Sequence, residues 1–149
     1  MPKGINHFRV GETLFLGTDL YNNTTLENMS TDVFCLYSEI IELLEKPLLP
    51  SGEMGTNVEG NSVEFDNKFA GVTTYRAIID IGLLDVERKQ IEPVDTDLKF
   101  AGASSDMIVM NLGENLKHYK VGDLLEFRMN YMGTLRVLNS RYIEKKILR

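Results

Sequence analysis

Apolar residues along this chain come in short runs separated by glycine, proline and asparagine, a rhythm that predicts strands more than helices. The first run is apolar at Phe8, Val10, Leu14, Phe15 and Leu16, with Gly11 and Gly17 as punctuation, and it suits a strand buried on both faces. A chain start cannot supply two covering layers by itself. The run therefore reads either as the closing strand of something larger or as an ordinary first strand of an all-β domain with Arg9 turned to solvent.

After a polar break at Asn22-Asn23-Thr24-Thr25, apolar residues stand at positions 33, 34, 36, 37, 40, 41, 43 and 44. Glu39 to Glu45 would make a good helix, but the β-branched and aromatic content of Val33 to Tyr37 and Ile40-Ile41 favours a strand, and a strand is the reading adopted. Lys46-Pro47 ends it, Pro50-Ser51-Gly52 marks a turn, and Asn57 to Asn67 reads as an exposed excursion. Thr73 to Ile81 alternates as a sheet strand does and stops at Gly82. Gly102-Ala103-Ser104-Ser105-Asp106 is a small-residue turn before a short strand, Met107 to Met110, which Gly113 and Asn115 break. Val121-Gly122-Asp123 is a tight turn feeding Leu124 to Phe127. In Arg141 to Arg149 apolar residues alternate with charge, which predicts a half-buried strand. Short strands at this spacing predict a mostly β fold, a small barrel or sandwich.

Length and composition add limits. A chain of 149 residues fits one domain, or one domain plus a fragment. Its net charge of −6 argues against nucleic acid as a partner, since binding phosphates requires clustered lysine and arginine. Cys35 is the only cysteine, which excludes an intramolecular disulfide, and the setting Val33-Phe34-Cys35-Leu36-Tyr37 predicts a thiol packed as a small apolar group. His7 and His118 stand apart with no ligand-like spacing, so no metal site is expected. No segment resembles a signal peptide and no apolar run is long enough to span a bilayer, so the default expectation is a cytoplasmic protein without a membrane partner.

Spacing alone yields no complete catalytic constellation. Ser104, Ser105 and Asp106 lack a neighbouring histidine base, and neither a dinucleotide fingerprint nor a phosphate loop occurs. Asp80 and Asp85 could pair as carboxylates, but strand alternation would put them on opposite faces.

Several segments, taken in order, nevertheless resemble the carboxy-terminal part of fold-type III pyridoxal-phosphate amino-acid racemases, the alanine racemase family, and most closely its ornithine racemase-like branch. Arg9-Val10-Gly11 through Leu16-Gly17 resembles the strand that closes the family's cofactor-bearing barrel, with Leu16 in place of the tyrosine typical of alanine racemases. Gly102 to Asp106 resembles the Gly-x-x-x-Asp turn of the family's β-domain, and Val121-Gly122-Asp123 the strand that follows it. Asn130-Tyr131 with Tyr142-Ile143-Glu144-Lys145 resembles the family's ending.

The resemblance implies roles for particular residues. Arg9 would donate to the pyridine nitrogen of pyridoxal 5'-phosphate; because a guanidinium keeps its proton, the ring nitrogen stays unprotonated and the ring is a weaker electron sink. Ser105 and Asp106 would form the turn at which a backbone N–H meets the substrate carboxylate, although a plain β-turn explains the same residues. Arg141 and Tyr142 fall near a tyrosine that reaches the cofactor phosphate. Leu83, in Gly82-Leu83-Leu84-Asp85, occupies the place of the family's tyrosine base and cannot move a proton. The Schiff-base lysine would lie in an amino-terminal barrel, and no cofactor is expected on this chain alone.

The resulting expectation is a β-barrel or sandwich over residues 21–149, preceded in residues 1–20 by the last strand of an absent β/α barrel. With that barrel domain, in a homodimer of the family's kind, it would cap the cofactor and amino-acid site. Alone it would be inactive. The contrasting expectation is an independent, non-catalytic β-barrel module that binds a small ligand or a protein.

Overall fold

The computed structural model describes residues 3–49, 51–52, 55–56, 60 and 70–147. The expected excursion at Asn57 to Asn67 thus falls almost wholly outside the described residues. Six strands form one antiparallel sheet that curls into a nearly closed barrel: β3 (Cys35–Pro47), β4 (Thr73–Ile79), β5 (Ile91–Pro93), β6 (Lys99–Ala103), β7 (Ile108–Asn111) and β8 (Leu124–Met129). Their spatial order is β5-β8-β3-β4-β7-β6. The mostly β, barrel-like fold read from the sequence is the fold of the domain.

β3 serves two neighbours. Its first half pairs with β8, from Cys35 opposite Arg128 to Glu39 opposite Leu124. Its second half pairs with β4, from Ile40 opposite Ile79 to Pro47 opposite Thr73, and a bulge between Ile40 and Glu42 lies at the changeover. Bulges add local twist, which helps a sheet curl. Asp80 holds this point: its Oδ1 accepts hydrogen bonds from the Ser38 hydroxyl at 2.7 Å and the Glu39 amide at 2.8 Å. Ser38 is buried, and the carboxylate gives its hydroxyl an acceptor that the apolar interior lacks.

Alternation along the strands places the core. Leu36 and Ile40 on β3, Ala77 and Ile79 on β4, Ile108 and Met110 on β7, and Leu125 and Phe127 on β8 all point inward. Phe100 on β6 lies 6.3 Å from the Phe127 ring, and the Arg88 guanidinium sits 5.2 Å over the Phe100 ring. Arg88 belongs to a single 3₁₀ turn, Arg88–Gln90, just before β5, so this stack spans the seam where β6 and β5 are not paired.

The sequence reading fails at three places. The strand expected in the first seventeen residues does not form: residues 5–11 lack regular structure, and Glu12–Leu16 is one helical turn, α1, ended by Gly17 at φ 65°. Three consecutive apolar residues, Leu14 to Leu16, break strand alternation, and a following glycine in the left-handed region is a helix-ending signal. Phe8, Val10 and Leu14 are 55%, 59% and 63% exposed. Beyond α1, two short strands, β1 (Thr18–Asp19) and β2 (Thr24–Thr25), form a small hairpin.

Near the other end, the strand expected over Arg141 to Arg149 does not form among its described residues, 141–147, which are a bend and irregular chain following a helix, α2 (Tyr131–Asn139); Tyr142 is 94% exposed. Asn130 caps α2 by accepting a hydrogen bond from the Gly133 amide at 2.9 Å. Gly133 is required by close approach, because a Cβ there would lie 2.7 Å from the Gln90 carbonyl oxygen. Lastly, Cys35 is exposed rather than packed. The inward slots of β3 go to Leu36, Ser38 and Ile40, which turns Cys35 out. Partial desolvation, and then the nearby Glu126 carboxylate, raise its thiol pKa and disfavour the reactive thiolate.

Asp95 ties two loops together. Its Oδ2 accepts from the Tyr119 hydroxyl at 2.8 Å and from Lys117 Nζ at 2.9 Å. Desolvation, followed by the hydrogen bond to Asp95, pushes the Tyr119 pKa from 10 up to about 12. The raised value means that this stabilisation is complete below pH 10 and is lost as pH climbs through about 12. Tyr119→Phe should therefore flatten the loss of stability over that alkaline window, as measured by urea unfolding alongside phenolate absorbance. Phe127, fully buried at the barrel centre, should be far less tolerant: Phe127→Ala should lower unfolding free energy by about 3–5 kcal/mol in the same assay.

Candidate functional site

After β4 the chain passes through Ile81, which is buried, and makes a tight turn at Gly82 to Val86. The Asp85 and Val86 amides both donate to the Gly82 carbonyl, each at 3.1 Å. This turn lies directly against the Ser104-Ser105-Asp106 turn between β6 and β7. The Leu83 amide donates to the Ser104 carbonyl and the Leu84 amide to the Ser105 carbonyl, both at 3.0 Å. At Gly82 the two backbones meet: a Cβ there would stand 2.3 Å from the Ser105 carbonyl oxygen and 2.5 Å from the Asp106 nitrogen. Only glycine leaves room for this contact.

The second turn is fixed by its own side chains. The Ser104 amide donates to the Met107 carbonyl at 2.8 Å, and Ser104 Oγ accepts from the Met107 amide at 3.2 Å. Ser105 Oγ donates to Asp106 Oδ2 at 2.7 Å, and both residues are exposed. These are the features of a short polar turn that keeps two side chains at the surface.

A third segment joins from the end of α2. Ser140 Oγ donates to Asp85 Oδ1 at 2.8 Å and accepts from the Tyr142 amide at 3.2 Å. Lys145 Nζ also donates to the Ser140 carbonyl. Ser140 is thus the post that sets Arg141 and Tyr142 beside the Gly82 turn.

Between these three segments lies an open cleft of about 580 Å³, with Leu84, Asp85, Asp106, Arg136, Arg141 and Tyr142 among its walls. Arg136 is already engaged: Glu87 Oε1 accepts from it at 2.6 Å, while Lys89 Nζ holds Glu87 Oε2 at 2.7 Å. Hydrogen bonding to Lys89, with Arg136 adding to it, keeps the Glu87 carboxyl below its ordinary pKa. The cleft has mixed charge and can receive a ligand that carries both signs.

Of the residues singled out from sequence, Asp106, Arg141 and Tyr142 share this cleft, and Ser105 adjoins it through Asp106. Leu83 contributes its amide to the turn-to-turn contact, and its side chain is half-buried; the neighbouring Leu84 is the one that faces the cleft. Arg9 lies on the amino-terminal segment, exposed, and is not among the residues that line the cleft. Asp80 and Asp85 do not form a pair: Asp80 braces β3 and Asp85 braces Ser140. Sequence reasoning missed Arg136 and Ser140 because it missed α2. The available signal was Asn130, a good capping residue, but Gly133 inside the first turn obscures it.

The Gly82 contact predicts the effect of filling it. Gly82→Ala must push two backbone turns apart, and should cost about 1–3 kcal/mol or more in urea unfolding. Ala at exposed Gly102, where a Cβ meets nothing within 4 Å, should cost much less.

Neither a family model nor a solved structure matches the chain. Two curated proteins do. Ornithine racemase of Acetoanaerobium sticklandii is 40% identical over 148 residues, which is 99% of this chain and 41% of the relative. Lysine racemase of Thermotoga maritima is 37% identical over 145 residues, 97% of this chain and 40% of the relative. The chain thus spans about two-fifths of the length of the curated relatives it matches. Along nearly its whole length the chain is thus similar to a part of two amino-acid racemases, and with its β-barrel this fits a carboxy-terminal β-domain of such a protein.

Proposed function

We propose that this chain is the β-domain of a pyridoxal-phosphate-dependent racemase of amino acids, capping a cofactor and substrate site completed by a barrel domain. The observation that carries the reading is the meeting of Asp106, Arg141 and Tyr142 around one cleft, in a chain 40% identical to an ornithine racemase. These are three of the residues that the family resemblance assigns to substrate and cofactor.

The donor set suits such a cofactor. Arg141 and Tyr142 offer a guanidinium and a phenol for an anionic phosphate, and Arg9 offers a proton-retaining donor for an aromatic nitrogen. When bound, pyridoxal phosphate supplies the electron sink that acidifies the α-proton of an amino acid. Within this domain, Asp106 holds the Ser105 hydroxyl, which leaves the exposed turn stiff enough to present backbone to a carboxylate. Arg136, held by Glu87, gives the cleft a fixed positive wall. The relatives' names indicate an amino acid with a terminal amine as substrate, and the Asp85 and Asp106 carboxylates would tolerate such a cation in the cleft. A homodimer, with this domain against the barrel of the other subunit, is the proposed assembly, and residues 1–20 are the stretch assigned to the barrel.

One feature favours a second reading, a binding module without catalysis: by the resemblance, Leu83 takes the place of the family's tyrosine base. A hydrocarbon there leaves one proton-transfer role to a group elsewhere or leaves the role empty.

Chiral chromatography of ornithine and lysine separates the two readings. The chain with pyridoxal phosphate should racemise neither. Combined with a racemase barrel domain, it should restore turnover, and Arg141→Ala in that assembly should lower kcat/KM about tenfold, equivalent to roughly 1.4 kcal/mol. Turnover by the chain alone would refute the capping role, and a combined assembly with no turnover and no cofactor binding would favour the binding module.

A further inference from the structure

The amino-terminal segment is fastened to the barrel at few points. Phe15 packs on Phe34 with ring centroids 5.7 Å apart, and α1 touches α2. The two also meet at Gly11, where a Cβ would stand 2.7 Å from Tyr131 Oη and 3.6 Å from its Cζ. Gly11 also starts α1, since its carbonyl accepts from the Leu14 amide at 2.9 Å and the Phe15 amide at 3.2 Å. The phenol of Tyr131 therefore bears on the residue from which the helical turn is built, two positions after Arg9.

Tyr131 is itself well anchored. It opens α2, and the preceding Asn130 donates its backbone N–H to the Gln90 carbonyl at 3.0 Å. Two residues on, Gly133 lies flat against Gln90, and Thr134 and Val137 are buried. The far end of the same helix carries Arg136 and Asn139 to the cleft. One rigid element thus connects the Arg9-bearing segment to the cleft walls.

We infer that Tyr131 is a positioning residue: its phenol, set against side-chain-free Gly11, holds the Arg9-bearing segment in register with the cleft. That Arg9 is placed there for a cofactor nitrogen rests on the function proposed above; the clamp itself does not. Gly11 belongs to the device because any side chain at that position must push the phenol aside.

Amide hydrogen exchange on the full chain tests the clamp directly. Tyr131→Ala should speed exchange at Leu14, Phe15 and Gly17 about tenfold, with the β7 and β8 amides unchanged, because opening of this segment is local. Tyr131→Phe keeps the ring but removes the Oη nearest Gly11, and should speed the same amides by less than Tyr131→Ala does. Gly11→Ala should accelerate the same three amides, and by less when Tyr131 is already alanine. Parent-like exchange at these amides in Tyr131→Ala would overturn the clamp. If that variant loosens the whole barrel, Gly11→Ala decides: acceleration confined to the three amides supports the inference and its absence refutes it. In an assembly with a barrel domain and pyridoxal phosphate, the pH profile of cofactor absorbance should shift in Arg9→Lys and, in the same direction, in Tyr131→Ala. If the amide result holds while neither variant moves that profile, the cofactor reading of Arg9 falls and the clamp stands.

Discussion

Two backbone turns lie against each other at Gly82 with no space for a side chain, and the arrangement of the cleft depends on that contact. Peptide groups from Leu83 and Leu84 reach across to the carbonyls of Ser104 and Ser105. The outer end of the same turn, Asp85, takes the hydroxyl of Ser140. A segment with little side-chain chemistry of its own thereby fixes one turn bearing Asp106 and another bearing Arg141 and Tyr142. Hydrogen bonds made by backbone hold position without the rotamer freedom of long side chains, which is why such contacts suit a binding surface.

The barrel supplies the rigidity behind those turns. β4 leads into the Gly82 turn and β6 and β7 flank the Ser105 turn, so the two turns leave the sheet at the same end. Met110 and Ile79, both fully buried, secure the strands from which they emerge. Asp80 sits at the junction of these two jobs: it braces the changeover in β3 and is only two residues from Gly82. The buried Ser38 hydroxyl is paired here with a carboxylate at the surface, where β3 passes from pairing with β8 to pairing with β4.

The strands were legible where burial alternates with exposure. Leu125 and Phe127, on either side of Glu126, announce an inward face from sequence alone, whereas Met107 to Met110 is apolar throughout and announces only a strand; Val-Gly-Asp before β8 announces its turn. β3 was readable as a strand despite a helix-compatible stretch at Glu39 to Glu45, because β-branched residues outweighed it. The amino-terminal stretch was not legible: apolar content alone does not say whether residues are buried, and most of Phe8 to Leu14 is exposed in this chain. Nor was α2, whose helix-capping asparagine is followed by a glycine that serves packing rather than helix propensity. Of the residues that the resemblance singled out, Asp106, Arg141 and Tyr142 line the cleft. The resemblance could not reveal Ser140 and Arg136, whose parts depend on partners far away in sequence, Asp85 and Glu87.

The divided pairing of β3 bears on how the molecule acquires its shape. Its second half finds β4 after one intervening connection, but its first half needs β8, with Cys35 opposite Arg128. A ribosome must therefore deliver most of this polypeptide before the cylinder can shut, and until then Leu36 has no strand partner at all. Nascent chains in that interval present an unsatisfied strand edge beside greasy side chains, the species on which chaperones act and from which aggregates grow.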